Sequence, residues 1–232
     1  NEQLSIASAV NTVQPKQVDA KTSPILAYII KNKPKGVLSQ DEKNIYIGSD
    51  KEVTSFDKTT EKSKTIIKND SDWSSLGGMG TYLTNVYLLD KNEGVYKFVA
   101  TGSGYLKTSY FAAGVSPDLS SSLSMTIDTS VWILMNDATI LKFTRGKPDS
   151  FTVNGLDEPL SQPLLIFTNT DTDNLYVLDR GNSRIAVLNK NGDYQSQYKA
   201  NILKDAIDFD IVESSKKIFI LSKGKVYEIG IK

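Results

Sequence analysis

The sequence contains no cysteine and no histidine. Zinc, copper, haem and iron–sulfur sites draw their ligands mainly from these two residues. Ser-His-Asp and Cys-His catalysis need them outright, and no histidine is present to act as acid or base near neutrality. What remains for chemistry is carboxylate, Lys, Tyr and backbone. No metal or cofactor is expected. Arginine is scarce, at Arg145, Arg180 and Arg184 alone, which argues against a phosphate-reading surface. Neither sign of charge is in excess: Lys+Arg number 27 and Asp+Glu number 27. No global field therefore draws in nucleic acid or an anionic membrane. No apolar run approaches the length of a transmembrane helix, so direct membrane insertion is not expected. The first residue is Asn1 and not Met, which reads as a processed product or an excised domain.

What is present is strand pattern. Hydrophobic residues make up 39% of the chain and charged residues 23%, ordinary for a globular protein. Residues 1–23 lack sustained alternation and are rich in Ser, Thr, Gln, Lys, Asn and Ala. They read as a flexible linker or leader. From residue 24 a strand with an aromatic between aliphatics recurs at Asn44, Asn85, Ser130, Asn174 and Lys217. The spacings are 41, 45, 44 and 43 residues, counted between those starts. A steady period of this length with several strands per repeat is the mark of a β-propeller blade.

Each aromatic strand has a partner after a tight turn, such as Val95–Phe98 or Ile185–Leu188. A further strand precedes each one. An outer strand follows in four repeats, near 64–67, 105–111, 150–153 and 194–198. The last repeat ends after its third strand. Residues 25–31 fit the gap, since 29–32 repeat the Ile-Ile-Lys-Asn of 66–69. The expectation is an all-β, five-bladed β-propeller with four antiparallel strands per blade, residues 24–232, its ring closed by 25–31.

Asp179-Arg180-Gly181-Asn182-Ser183-Arg184-Ile185, followed by Gly192, resembles an NHL-type propeller repeat. In that family the Asp, Gly-Asn and Arg brace the hairpin, and the resemblance implies that role for Asp179, Asn182 and Arg184. The second repeat keeps the Asp as Asp90, while Ser49, Met135 and Ser222 stand there in the others. The resemblance supports architecture, which hosts many functions.

Propellers commonly use the face where one blade's outer strand passes to the next blade's inner strand. Those connections hold Asp72, Trp73, Asp118, Asp157, Glu158 and Asp205, the expected ligand or partner surface. Trp73, in an otherwise polar loop, would suit sugar stacking or a protein hot spot if exposed, or would fold back over the first two blades. Asp208 and Asp210 share one face of an inner strand, about 7 Å apart, a spacing that invites comparison with glycosidase acid pairs or a cation site lining the channel, while inner-strand Asp residues also bond the backbone of the adjacent blade. The sequence thus favours a monomeric, non-catalytic binding or sensor propeller for a protein, peptide or glycan. Bacterial membrane-anchored signalling proteins that carry an NHL-like propeller outside the cell resemble this plan, which implies an extracytoplasmic location. The alternative is a carboxylate-dependent saccharide hydrolase or lyase using Asp208 and Asp210 in the central funnel.

Overall fold

The computed structural model describes residues 9–17, 36–70 and 72–231. Two strands lie near the N-terminus, β1 (Ala9–Thr12) and β2 (Lys16–Gln17). Sheet one holds β3 (Val37–Gln40), β4 (Asn44–Gly48), β5 (Glu52–Asp57) and β6 (Ser63–Lys68). Sheet two holds β7 (Leu76–Tyr82), β8 (Asn85–Asp90), β9 (Gly94–Thr101) and β10 (Gly104–Ser109). Sheet three holds β11 (Ser122–Ile127), β12 (Ser130–Met135), β13 (Ile140–Thr144) and β14 (Lys147–Asp149). Sheet four holds β15 (Pro163–Phe167), β16 (Asn174–Asp179), β17 (Arg184–Asn189) and β18 (Tyr194–Lys199), and sheet five β19 (Ala206–Val212), β20 (Lys217–Ser222) and β21 (Lys225–Gly230). The fold is all-β, a five-bladed β-propeller of four-stranded antiparallel sheets.

The described residues divide into two units: 36–150, with sheets one to three, and 9–17 with 151–231, holding sheets four and five. In the first, one apolar cluster gathers Tyr46, Val53, Met79 and Leu88 from sheets one and two. A second gathers Leu89, Met125, Val131 and Ile133 from sheets two and three. In the second unit Leu178, Ile185, Phe209 and Ile218 share one cluster. A strand covered on both faces needs an unbroken apolar run, and β8, β12 and β16 are buried at every position after the first or throughout. Outer strands β10 and β14 are mostly or wholly exposed.

Close packing of inner strands explains two glycines. A Cβ on Gly78 would lie 2.8 Å from the Met125 backbone N, and one on Gly80 2.5 Å from Ile127 Cγ2. β7 and β11 approach too closely there for any side chain.

Two features depart from the sequence reading. The outer strand of sheet three is Lys147–Asp149, ahead of the expected 150–153. Arg145 and Gly146 both adopt positive φ, 53° and 77°, so the chain reverses at once after β13. The fourth strand of sheet five is β2, pairing Lys16 with Glu228 and Gln17 with Tyr227. It comes from the stretch expected as linker. The segment 25–31, assigned that place from its sequence, lies outside the described residues. Beside it β1 adds a fifth strand to sheet four, parallel to β18, from Ala9↔Ser196 to Thr12↔Lys199.

Candidate functional site

In a four-strand meander the turn between the second and third strands lies at the same end as the connection to the next sheet. The residue that ends the second strand therefore faces both. In sheet two this is Asp90, fully buried. It accepts the N–H groups of Ser74 and Ser75 from the connection (2.7 Å each) and of Asn92 and Glu93 from the turn (2.9 and 3.1 Å). Burial alone would raise its pKa, but these four donors hold the carboxyl below the usual range.

Sheet four elaborates the same position. Asp179 accepts Ser161 N–H at 2.8 Å, Asn182 Nδ2 at 2.8 Å and Arg184 Nε at 2.7 Å. Asn182 also donates to the Pro159 carbonyl. Arg184 has no exposed surface. Its other nitrogens reach Asp157 Oδ1 (2.8 Å), Gln197 Oε1 (3.0 Å) and the Glu158 carbonyl. Asp179, Asn182 and Arg184 thus form the hairpin brace that the sequence suggests.

This brace absorbs two of the predicted surface residues. Asp157 bonds Arg184 and accepts Gln197 Nε2 at 3.0 Å. Burial pushes its pKa up, and the Gln197 amide, the Glu158 N–H and the Arg184 guanidinium more than offset this, so its carboxyl stays low. The Glu158 carboxylate lies 3.8 Å from Lys199 Nζ. Asp205 pairs with Lys223 at 2.9 Å, and that partner lowers its pKa.

Trp73 takes the second of its two readings, and its place on the partner surface is corrected. Its residue exposure is 3%. Its Nε1 donates to the Ser49 carbonyl at 2.7 Å, and its ring meets Phe98 edge-on at 5.8 Å. The indole belongs to the core of sheets one and two and offers no face to a ligand. Asp72 beside it forms an ion pair with Lys107, whose ammonium lies 5.1 Å from the Tyr96 ring centre. Asn69 Oδ1 accepts the Asp72 and Trp73 N–H groups and so turns the loop inward.

Asp118, of the predicted set, lines a cavity. The cleft, of about 460 Å³, lies between the β8–β9 turn of sheet two and the connection into sheet three. Lys91, Glu93, Phe111, Pro117 and Asp118 are among its walls. Ser120 donates Oγ–H (2.7 Å) and N–H (2.9 Å) to Asp118, which lowers its pKa. Phe111 is fixed against Phe143 with ring centres 4.9 Å apart. The cleft can offer charges of both signs and one fixed aromatic.

Asp208 and Asp210 sit on β19, two residues apart and thus on one face. Each accepts the N–H of the residue after it, Phe209 and Ile211, at 2.9 Å. Burial pushes Asp208 up to about 6, and the Asp210 charge adds to this although the Phe209 N–H opposes it.

At the opposite end of the sheets is a pattern missed in the sequence. The aromatic of the second strand anchors its polar tip on an acid in a turn. Tyr46 donates to Asp41 at 2.6 Å, Trp132 Nε1 to Asp128 at 3.0 Å, and Tyr176 to Glu213 at 2.6 Å. Asp41 and Asp128 stand five and four residues before the aromatics they bind, which was the available signal, whereas Glu213 lies 37 residues after Tyr176 in the β19–β20 turn and left none.

No protein-family profile matches the chain, and no curated protein matches it. Solved structures do. A catalytically inactive virginiamycin B lyase from Staphylococcus aureus, with quinupristin, is 14% identical at a TM-score of 0.56, covering 86% of this chain and 66% of that one. Glutaminyl cyclase of Myxococcus xanthus is 11% identical at 0.58, covering 84% and 88%. PorZ, a surface component of the type-IX secretion system of Porphyromonas gingivalis, is 12% identical at 0.52, covering 84% and 25%. The chain thus spans just under two thirds of the lyase and a quarter of PorZ. At such identities the likeness is one of fold, among proteins of different function.

Proposed function

We propose that this chain is a non-catalytic binding module that recognises a protein, peptide or glycan through the connection end of its sheets. The cleft between the β8–β9 turn and 115–120 carries the reading: it is a cavity at that end, lined by Lys91, Glu93, Asp118 and Phe111. The fate of the other acids supports it. Asp72, Asp157 and Asp205 are engaged by Lys107, Arg184 and Lys223, so they hold the scaffold and not substrate. The absence of histidine from the sequence points the same way. The Staphylococcus lyase is inactive once a single histidine is replaced by alanine, and this chain has none to offer.

The Asp179–Asn182–Arg184 brace supports reading the repeat as NHL-type, and with it a sensor role outside a bacterial cell. The likeness to a bacterial surface component is consistent with that location. No helix among the described residues is long and apolar enough to cross a membrane. The module is expected to act as a monomer.

The test is a screen of the chain against glycan arrays and displayed peptide libraries. Binders should lose at least tenfold in affinity with Glu93→Lys or Asp118→Lys, at unchanged melting temperature. Binders indifferent to both changes would discard the cleft as the site. Asp208's raised pKa beside Asp210 favours a second reading, a saccharide hydrolase or lyase with Asp208 as general acid. Turnover of a saccharide that Asp208→Asn abolishes would replace the first reading with this one.

A further inference from the structure

Sheets one to three each contain four strands, and sheet five reaches four by taking β2. Sheet four already has four in β15–β18. The added β1 is surplus to that plan, and it lies on the outer edge of β18 in parallel register. Outer strands β10 and β14 present mostly or wholly exposed residues. β18 differs: Gln197 and Tyr198 are buried, at 0% and 3%. Gln197 is held by Arg184 and Asp157, and Tyr198 shares an apolar cluster with Val13. The brace thus fixes the edge from behind, and the edge receives a strand in front.

The occupant is lightly held. Of 11–17 only Val13 is buried, and its N–H donates to the Lys199 carbonyl at 3.1 Å. Residues 9–13 read Ala-Val-Asn-Thr-Val and carry no charge. The facing strand, Tyr-Gln-Ser-Gln-Tyr-Lys, is neutral but for its last residue. Main-chain bonds hold such a strand, and one side-chain pocket gives it register.

We propose that the outer edge of sheet four is an acceptor site for an extended polypeptide strand, and that residues 9–13 are its resident intramolecular ligand. Its partner is an uncharged segment running parallel to β18, with a β-branched aliphatic residue where Val13 sits. Such a segment binds by displacing β1, so the strap both mimics the partner and restrains access to the site. This site is independent of the cleft.

The test uses the full chain and a fluorescent peptide of residues 9–17. Within the chain the strap competes at high effective concentration, so the unaltered protein binds the peptide weakly. Val13→Asp in the chain weakens the strap, and peptide binding tightens at least tenfold. The same change in the peptide abolishes binding. If the Val13→Asp chain does not fold, Val13→Ala gives the same order with a smaller gain. Native-state hydrogen exchange of the unaltered chain reads the same equilibrium. The amides of 9–13 exchange much faster than those of β16 and β17 if the strap opens alone. A folded Val13→Asp or Val13→Ala chain that binds the peptide no better than the unaltered one overturns the proposal. So does a strap as protected as β16.

Discussion

Arg184 places a full positive charge where no water reaches, and four acceptors surround it. Removing it leaves the equally buried Asp179 without its ionic partner. Arg184→Ala should therefore cost about 3–5 kcal/mol of stability, read from the midpoint of urea unfolding. Arg184→Lys should recover little, because an ammonium cannot span the same fork of acceptors. A loss below about 1 kcal/mol would mean the brace is ornamental. Asp208 makes the opposite case. Its folded pKa, about 6, lies above the unfolded carboxyl value near 3.9. The folded state binds the proton more tightly, so stability falls as pH rises from about 4 to 6. Asp208→Asn should raise the melting temperature at pH 7 and leave it nearly unchanged at pH 3.5. Residue roles were only partly legible in the sequence. The Asp-x-x-Asn-x-Arg spacing announced its brace because those groups bond one another locally. For Trp73 the sequence left burial and exposure both open, since the loop around it is polar and its partners, Ser49 and Phe98, are far away in sequence.

At the scale of elements, one position is filled three ways across the five sheets. The residue at the end of the second strand, or just past it in sheet one, is Ser49, Asp90, Met135, Asp179 or Ser222. The two aspartates tie connection to turn through three or four donors each. The Ser49 hydroxyl bonds only within its own turn, accepting the N–H groups of Lys51 and Glu52 at 3.2 Å each and donating to the Glu52 carbonyl at 3.1 Å. Asp90→Ala should therefore destabilise far more than Ser49→Ala, by thermal melts of both. A second contrast concerns β7. Gly78→Ala forces a methyl against Met125 backbone, which cannot yield as a side-chain tip can. A cost of about 1–3 kcal/mol is expected, with a smaller one for exposed Gly102→Ala, whose Cβ would meet open space. The repeat itself was legible because buried central strands demand unbroken apolar runs. β2 was not, since a two-residue edge strand needs only backbone groups and leaves no mark on side-chain pattern.

For the whole molecule, the absence of histidine simplifies the response to pH. No side chain with an ordinary pKa titrates between pH 5 and 8. The carboxylates held low, Asp90 and Asp157 among them, contribute stability present above about pH 4. They lose it as pH falls through their folded values. Asp208 slopes the other way. Together they predict a maximum in melting temperature between about pH 4 and 5, with an inflection near 6 that Asp208→Asn removes. A melting temperature that climbs steadily to pH 7 would refute the assignment. The place of β2 has a last consequence, for the order of events during synthesis. Lys16 pairs with Glu228, 228 − 16 = 212 residues later. The earlier-made member of this pair must wait for one made 212 residues later. Sheets one to four can form from neighbouring chain as it emerges, whereas sheet five stays one strand short until its most distant contact is made. Contacts of such separation are slow to close. Lys16 and Gln17 therefore spend the synthesis of the intervening chain without the partners they will keep, and sheet five is completed only once β21 has been made.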